Sequence, residues 1–310
     1  MPSIVHQVQF LNFQIYLNYK NSQVAYYLFN HFLYVYTLCK KNWVIRMIAN
    51  MSVKQKIRKY SNGQLLDVED NIVKEFPLTI FVNSQEFATL VCTPTHFEEM
   101  VVGFLASEGV IRIQQDILSL NIDEDAGFAH VMLHAEVTTS QQYYSKRFIG
   151  SCCGKSRQFY FHNDARTAKT STSIKTITPS QCINLMNRMQ ASSVVFQETG
   201  GVHNAALCTP DEIIVSRTDI GRHNALDKLY GYSLLYKIPV REKIIVFSGR
   251  ISSEVLVKAA KIGVGIVLSK SAPTDLAIKL AEDLNITAVG FIRGDSFNIY
   301  SHPERIVLND

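Results

Sequence analysis

The pattern of apolar and polar positions after about Val73 predicts strands and one helix. Four stretches alternate apolar and polar residues with a period of two, which is typical of half-buried strands. They span residues 75–83, 86–92, 117–122 and 128–136. Between the two pairs, Thr95 and Glu98 have the spacing of a capping box for a helix that ends at Gly109. These elements predict a small α+β domain over residues 51–145.

Helical periodicity and apolar runs alternate in the second half of the chain. A helix at 179–190 and a hairpin over 204–216 come first. Further helices are predicted at 223–236, 252–262 and 273–284, and further strands at 243–248, 265–269, 287–291 and 297–300. Strands joined by helices of this length predict a largely parallel sheet covered on both faces. We therefore expect an α/β domain over residues 179–310.

Residues 1–50 differ from the rest, because they are crowded with aromatic side chains and poor in acidic ones. The apolar stretch at 24–39 is too short and too polar to predict a transmembrane helix, so no membrane association is expected. It also lacks the basic start of a signal peptide. Two interpretations stay open: a membrane-interface segment, and an upstream start codon ahead of a natural start near Met47 or Met51. The polar residues after Met51 favour the second.

Composition places the chain among soluble globular proteins, with 47% hydrophobic and 19% charged residues over 310 positions. The formal net charge of +4 permits anionic ligands. It does not indicate nucleic acid, because the chain has no block of consecutive Lys and Arg. Six cysteines in a chain of this length are not a disulfide framework, so we expect a reducing, cytoplasmic setting.

Cys152 and Cys153 are adjacent, and they lie in a polar loop and linker over residues 146–178. A thiolate is the nucleophilic form of cysteine, and a basic neighbourhood favours it. The flanking cations are Lys146, Arg147, Lys155 and Arg157. The pattern therefore predicts reactive thiols, with two small buried side chains as the alternative. A metal site is disfavoured, because adjacent cysteines do not readily chelate one ion and no Cys-x-x-Cys partner lies nearby.

Glycine, arginine and hydroxyl residues recur where strands or turns meet helices. These segments span residues 199–205, 218–228, 247–254 and 269–274. A helix N-terminus offers free N–H donors and a partial positive charge, and Arg222 and Arg250 can add bidentate contacts. None of the segments is a Walker A loop or a dinucleotide fingerprint. Together they predict a phosphorylated ligand at the carboxyl ends of the strands.

Several of these motifs, in this order, resemble those of the formate dehydrogenase accessory sulfurtransferases, the FdhD family. The matching segments are Thr199–His203, Asp219–Lys228, Ser248–Arg250 with Glu254, and Phe291–Gly294 ahead of Tyr300, Pro303 and Arg305. The resemblance covers roughly residues 57–310. It implies a fold like that of the cytidine deaminases. This chain lacks their zinc signature, so neither deamination nor a metal site is expected.

The resemblance implies a dimeric, cytoplasmic maturation factor. Such a protein takes sulfur from a cysteine desulfurase as a persulfide and passes it to the molybdenum cofactor of formate dehydrogenase. The implied client cofactor is molybdenum bis-molybdopterin guanine dinucleotide, and guanine nucleotides are expected in the same pocket. The candidate cofactor contacts are Asp219, Arg222, His223, Arg250, Phe291, Ile292, Arg293, Gly294, Asp295 and Ser296.

The cysteine motif departs from the family pattern. Many members carry Cys-Gly-x-Cys-Gly, whereas this chain has Gly150-Ser-Cys-Cys-Gly154. Either cysteine can therefore be the persulfide carrier, and Cys153 is favoured because Gly and Lys follow it as in the family. One alternative function is a cofactor-binding chaperone without sulfur turnover. Another is a thiol–disulfide oxidoreductase, which the strained geometry of a vicinal disulfide disfavours.

Overall fold

The computed structural model describes residues 49–134, 148–149 and 168–308. The described residues after Asn50 belong to one compact unit, Met51–Asp310. The apolar stretch at 24–39, Met47 and the cysteine pair lie outside the described ranges. Within those ranges, no helix is long and apolar enough to span a membrane.

The unit begins with a two-stranded antiparallel ribbon that the apolar pattern does not predict. Strand β1 spans Ser52–Ser61 and β2 spans Gln64–Val73. Asn62 and Gly63 join them with φ values of 51° and 82°, as a tight hairpin turn of this type requires. This Asn-Gly pair is the sequence signal that identifies the hairpin, although the flanking strands do not alternate cleanly between apolar and polar residues.

The two strands of the ribbon carry opposite charges: the charged residues of β1 are all basic and those of β2 are all acidic. Lys54 lies 3.9 Å from Glu69, and Arg58 lies 3.3 Å from Asp67. All four side chains are well exposed, so these pairs contribute little to stability. The other face of the ribbon carries apolar side chains that are exposed or half-buried. They are Val53, Ile57, Leu66, Val68 and Ile72.

A five-stranded sheet follows the ribbon. Its strands are β3 Phe76–Val82, β4 Gln85–Cys92, β5 Ile117–Asp123, β6 Phe128–Leu133 and β7 Phe148–Ile149. They lie in the order β5-β6-β3-β4-β7. Both predicted strand pairs are confirmed, because β3 pairs antiparallel with β4 and β5 with β6. Helix α1, Phe97–Ser107, packs on one face in a core that includes Leu78, Leu90 and Met100.

The prediction that Thr95 caps α1 is wrong. The N-cap is His96, which has a φ of 57° and makes no side-chain capping hydrogen bond. The Thr95 hydroxyl is buried and has no hydrogen-bond partner among the described residues. The left-handed turn at His96 starts the helix one residue later than capping by Thr95 requires.

A six-stranded sheet forms the second half. Its strands are β8 His203–Cys208, β9 Ile213–Asp219, β10 Ile244–Phe247, β11 Ile266–Ser269, β12 Thr287–Arg293 and β13 Ser296–Ile299. Their order is β13-β12-β11-β10-β8-β9. The α/β class is confirmed, but the sheet is mixed, since only β10, β11 and β12 run parallel. The short β8–β9 and β12–β13 connections permit only antiparallel pairing.

Helices cover both faces of this sheet. They are α2 Pro179–Ala191, α3 Val194–Thr199, α4 Arg222–Leu235, α5 Ser253–Ile262 and α6 Asp275–Asp283, with short 3₁₀ turns at Gln114–Asp116 and Pro303–Arg305 elsewhere. In β10, Ile245 and Phe247 pack with α4, α5 and α6, whereas Ile244 and Val246 pack with α2. The strand is buried on both sides, which explains its continuous apolar run.

Helices α1 and α4 cross at very close range through two glycines. A Cβ atom at Gly103 would overlap the carbonyl oxygen of Asp227, and one at Gly231 would overlap the carbonyl oxygen of Glu99. Each glycine therefore faces the backbone of the other helix. Because α1 packs on the five-stranded sheet and α4 on the six-stranded one, this crossing joins the two halves of the unit.

We expect Gly231→Ala to destabilise the protein by about 3 kcal/mol or more, because neither backbone can retreat without moving a whole helix. An alanine in an exposed helix interior would instead stabilise by about 1 kcal/mol. Urea unfolding of the full chain measures the difference. Gly294→Ala is the control, since its Cβ would meet no atom within 4 Å and only its φ of 54° opposes alanine. Equal effects of the two substitutions would show that the helices are not in contact there.

Candidate functional site

The predicted anion-binding turns converge at one edge of the six-stranded sheet. This edge holds the carboxyl ends of the parallel strands β10, β11 and β12. Strand β8 is antiparallel to β10, so its first residue, His203, lies at the same edge. Asp219, the last residue of β9, is the register partner of His203. The sheet topology therefore brings together turns that are up to about seventy residues apart in the sequence.

Direct hydrogen bonds join the turn at 199–205 to the turn at 247–254. The Asn204 N–H donates to Ser248 Oγ at 2.9 Å, and the Ser248 N–H donates to the Asn204 carbonyl at 3.0 Å. The Thr218 hydroxyl in turn donates to Asn204 Oδ1 at 2.7 Å. The side chain and backbone of Asn204 thus hold two neighbouring turns at fixed separation.

The turn at 269–274 donates two hydrogen bonds to backbone carbonyls of the turn at 247–254. Ser269 Oγ donates to the Gly249 carbonyl at 2.7 Å, and Ser271 Oγ donates to the Ser248 carbonyl at 3.2 Å. A Cβ at Gly249 would lie 3.0 Å from the Phe247 ring and 3.6 Å from His203 Nδ1. The backbone of the Ser248–Arg250 turn therefore approaches the His203 ring closely.

Arg222 and Arg250 bring positive charge to this edge. Neither forms an ion pair with a carboxylate that the structure describes, and Arg250 is exposed. The Nε of Arg222 is shielded from solvent and has no hydrogen-bond partner among the described residues. His223 differs, since its Nε2 lies 3.1 Å from Glu254 Oε2. The arrangement offers two guanidinium groups and the N-terminus of α4 to an anion.

The electrostatics of His203 reflect this positive edge. Burial lowers the pKa of the His203 imidazole, the Arg222 guanidinium lowers it further, and Asp219 partly opposes both effects. The folded protein therefore favours a neutral imidazole at neutral pH, which can donate or accept a hydrogen bond without adding charge.

Asp219 is buried inside the protein and is not exposed at the edge. Its side chain is fully buried and 2.7 Å from the Nζ of Lys228, which is also fully buried. Its Oδ1 accepts from the N–H of Gly221 at 2.8 Å, and its Oδ2 accepts from the N–H of Thr93 at 3.0 Å. The geometry favours support of the turn that carries Arg222, and a direct cofactor contact of Asp219 stays a prediction.

The candidate segment Phe291–Ser296 forms the end of β12 and the turn into β13. Phe291 has a φ of 55°, which is strained for an aromatic residue, and its ring is 38% exposed. The Arg293 guanidinium carbon lies 5.4 Å from the ring centroid. Ile292 is 2% exposed and belongs to the core beside α2, so its side chain is not available to a ligand. The other candidate residues of this segment are all exposed.

A groove of about 470 Å³ lies between α2 and the β12–β13 turn. Its lining residues are Ser180, Ile183, Asn184, Asn187, Arg188 and Asp295. Asp295 is a predicted cofactor contact, whereas the two asparagines were not predicted. Their spacing of three residues on one helix face is the signal in the sequence that groups them.

Cys152 and Cys153 lie outside the described residues, but the strand that leads to them is described. Strand β7 runs parallel to β4, with Ile149 opposite Leu90. The next residue of β4, Val91, accepts a 2.8 Å hydrogen bond from Asn224 Nδ2 in the first turn of α4. The strand that precedes the cysteines therefore pairs with β4, the strand that Asn224 of α4 contacts.

The cysteines that the structure describes are poor nucleophiles. Cys92, Cys182 and Cys208 are buried, and burial raises the pKa of each thiol to about 12. Thiolate is therefore scarce at these positions at neutral pH. Within the described ranges, no group of three or more His, Cys, Asp or Glu side chains could hold a metal ion.

Comparison with known proteins identifies close relatives. The family model described as FdhD/NarQ family matches residues 73–307. The chain is 63% identical over 263 residues to the sulfur carrier protein FdhD of Halalkalibacterium halodurans, covering 84% of this chain and 97% of the relative. It is 62% identical over 260 residues to the sulfur carrier protein FdhD of Bacillus subtilis, covering 84% and 99%.

A solved structure shares the fold. It is the crystal structure of a protein from Desulfotalea psychrophila assigned as a formate dehydrogenase accessory protein, with a TM-score of 0.68 and 23% sequence identity. The match covers 83% of this chain and 100% of that one. At this identity the likeness supports the architecture of the two sheets.

We expect Arg222→Gln to raise the pKa of His203, because the substitution removes the guanidinium that opposes protonation. Histidine NMR titration measures the change. In the wild type, protonation of His203 opposes folding, so the stability contribution of the neutral imidazole is present above the unfolded pKa of about 6.5 and is lost as pH falls below it. Arg241→Gln is the control, since Arg241 contacts the Thr172 carbonyl. An unchanged titration in Arg222→Gln would show that Arg222 does not act on His203.

Proposed function

This chain belongs to the FdhD/NarQ family, and from that premise we propose that it is a sulfurtransferase for formate dehydrogenase. In this proposal Cys153, or Cys152 in its place, accepts sulfur as a persulfide from a cysteine desulfurase. The sulfur then passes to the molybdenum bis-molybdopterin guanine dinucleotide cofactor, which the protein binds as cargo. The similarity of this chain to sulfur carrier proteins supports the role of sulfur carrier.

One observation carries the proposal: β4 contacts α4 next to the cation-lined edge, and β4 also pairs with β7, the strand that leads to the cysteines. Ile149 pairs with Leu90, next to the Val91 carbonyl that Asn224 holds. Cys152 follows Ile149 by three residues, which is at most about 10 Å of extended chain. A sulfur carrier needs its thiol within reach of its acceptor, and this connection limits how far the thiol can be from the edge.

The carrier thiol is assigned by its chemistry. A persulfide forms when a thiolate attacks the terminal sulfur of the donor persulfide, and the donor cysteine leaves as its thiolate. The three cysteines with raised pKa values do not meet this requirement. Cys152 and Cys153 have Lys155 and Arg157 nearby in the sequence, which favours the thiolate. Release of the sulfur as sulfide takes two electrons, which an external small-molecule thiol supplies by forming a mixed disulfide with the carrier cysteine.

The cofactor carries phosphates and guanine bases, and the described residues fit both. Arg222, Arg250 and the α4 N-terminus suit a phosphate. A guanine edge presents N–H donors beside an acceptor oxygen, so it matches the Asp295 carboxylate together with the carboxamides of Asn184 and Asn187. We therefore place the nucleotide of the cofactor between the edge of the sheet and the groove at Asp295.

The partners in this proposal are a cysteine desulfurase as donor, formate dehydrogenase as client and a second copy of the chain in a homodimer, all in the cytoplasm. The family resemblance supports them. A cofactor-binding chaperone without sulfur turnover is the second candidate. The edge and the groove support it, because both are suited to binding a cofactor.

Replacing both Cys152 and Cys153 with alanine is expected to abolish formate dehydrogenase maturation, because no carrier thiol remains. Incubation of the wild type with a cysteine desulfurase and cysteine should add about 32 Da to the peptide that contains them, as one sulfur atom requires. Mass spectrometry of the single variants identifies the carrier. Peptides containing Cys92, Cys182 and Cys208 are internal controls and should stay unmodified. Maturation by the double variant would overturn sulfur transfer, and an unmodified wild-type peptide with an active donor favours the chaperone.

We expect GDP to bind at least ten times more tightly than IDP, which lacks the 2-amino group that Asp295 would accept from. In Asp295→Asn this preference should fall to about twofold, since the second acceptor oxygen is lost. Isothermal titration calorimetry measures both affinities. Asp125→Asn removes an equivalent exposed carboxylate from the β5–β6 turn and should preserve the preference. A preference that survives Asp295→Asn would remove the groove from the binding site.

A further inference from the structure

Lys228 is a fully buried lysine to which the proposed function gives no role. Its Nζ lies 2.7 Å from Asp219 Oδ2, and neither side chain is exposed to solvent. The desolvation of two buried ions offsets much of their attraction, so such a pair is weak evidence for stability. Its effect on geometry is clearer, because the hydrogen bonds of the pair join the end of β4, the end of β9 and the first turn of α4.

The pair ties the end of β4 to the end of β9. Lys228 Nζ donates to Thr93 Oγ1 at 2.9 Å. Asp219 Oδ2 accepts from the backbone N–H of Thr93 at 3.0 Å and lies 2.9 Å from its hydroxyl. Thr93 directly follows β4, the strand that pairs with β7. The position of β4 relative to the six-stranded sheet therefore depends on this charge pair.

The second oxygen of Asp219 shapes the turn that presents Arg222. Oδ1 accepts from the Gly221 N–H at 2.8 Å and from Asn224 Nδ2 at 2.9 Å. Both oxygens are thus surrounded by donors, a geometry that suits only a carboxylate. Without the ammonium group of Lys228, the carboxylate would be buried with no compensating charge, so Asp219 would shift to recover solvation. The turn would then lose one of the hydrogen bonds that fix it.

We propose that Lys228 is a positioning residue that holds the Asp219–Gly221 turn, and with it Arg222, in the conformation that binds the anionic part of the cofactor. This inference rests on the proposed function. It assigns Lys228 to affinity for the cofactor, not to persulfide formation, because the contacts of Lys228 are with the turn and the end of β4. A purely structural lysine would affect stability alone, whereas Lys228 is expected to affect affinity for the cofactor as well.

Helix α4 contains a matched pair for comparison. Asp227 pairs with Lys258 of α5, and both residues are buried. Asp227 Oδ1 also accepts from the Ser107 hydroxyl at 2.6 Å, so this pair joins α4 to α1 and α5. The hydrogen bonds of Asp227 lead to α1 and α5, whereas those of Asp219 lead to the Asp219–Gly221 turn and the end of β4. Lys258→Met therefore removes a different buried ammonium group that is also paired with an aspartate.

The test compares Lys228→Met with Lys258→Met in the full chain, at a temperature at which circular dichroism shows both folded. GDP affinity is measured by calorimetry and persulfide loading by mass spectrometry with a cysteine desulfurase. We expect at least tenfold weaker GDP binding in Lys228→Met, with loading within twofold of the wild type. In Lys258→Met, GDP affinity should stay within twofold. Equal GDP affinity in the two variants would overturn the inference.

If Lys228→Met does not fold, Thr93→Val carries the test. This isosteric change keeps both charges and removes only the hydroxyl between them, and several-fold weaker GDP binding is expected. Wild-type affinity in Thr93→Val would overturn the inference. A wild-type protein that neither loads sulfur nor binds GDP would overturn the proposed function as well. A wild type that does both, with variants that bind GDP equally well, would overturn the inference alone.

Discussion

The backbone contact between α1 and α4 is the constraint on which the rest of the unit depends. Gly103 and Gly231 let each helix lie against carbonyl groups of the other. This close approach fixes the distance between the five-stranded and six-stranded sheets. Two buried lysine–aspartate pairs flank the crossing, Lys228–Asp219 towards the edge of the sheet and Lys258–Asp227 towards α5. Loss of either glycine would separate the elements that these charges join.

The edge carries positive charge because the nearby acidic side chains are already paired with other residues. Glu254 faces His223, Asp219 faces Lys228, and Glu99 forms a 2.5 Å ion pair with Arg217. Each carboxylate already has its own cationic or titratable partner. Arg222 and Arg250 have no such carboxylate among the residues that the structure describes. The framework thus neutralises its internal charges and leaves two guanidinium groups for a ligand, without needing a strongly basic sequence.

Much of the fold was predictable from periodicity, and the site was only partly so. The hairpin of β3 and β4 and the helices of the second half follow from local pattern, whereas the cap at His96 depends on a backbone conformation that Thr95 does not reveal. An aspartate in a glycine-rich turn has the same sequence pattern whether it meets a ligand or, as Asp219 does, a buried lysine nine residues later. Likewise, nothing local shows that Ile292 faces the core while Phe291 faces solvent.

The charge separation in the β1–β2 ribbon affects how copies of the chain meet. A ribbon has two open edges, and exposed edges invite pairing with another chain. Two-fold symmetric pairing would place β1 against a second β1, or β2 against a second β2. The first arrangement opposes lysines and arginines, and the second opposes aspartates and glutamates. The same side chains that contribute little to folding stability therefore discourage this hairpin from growing into an intermolecular sheet.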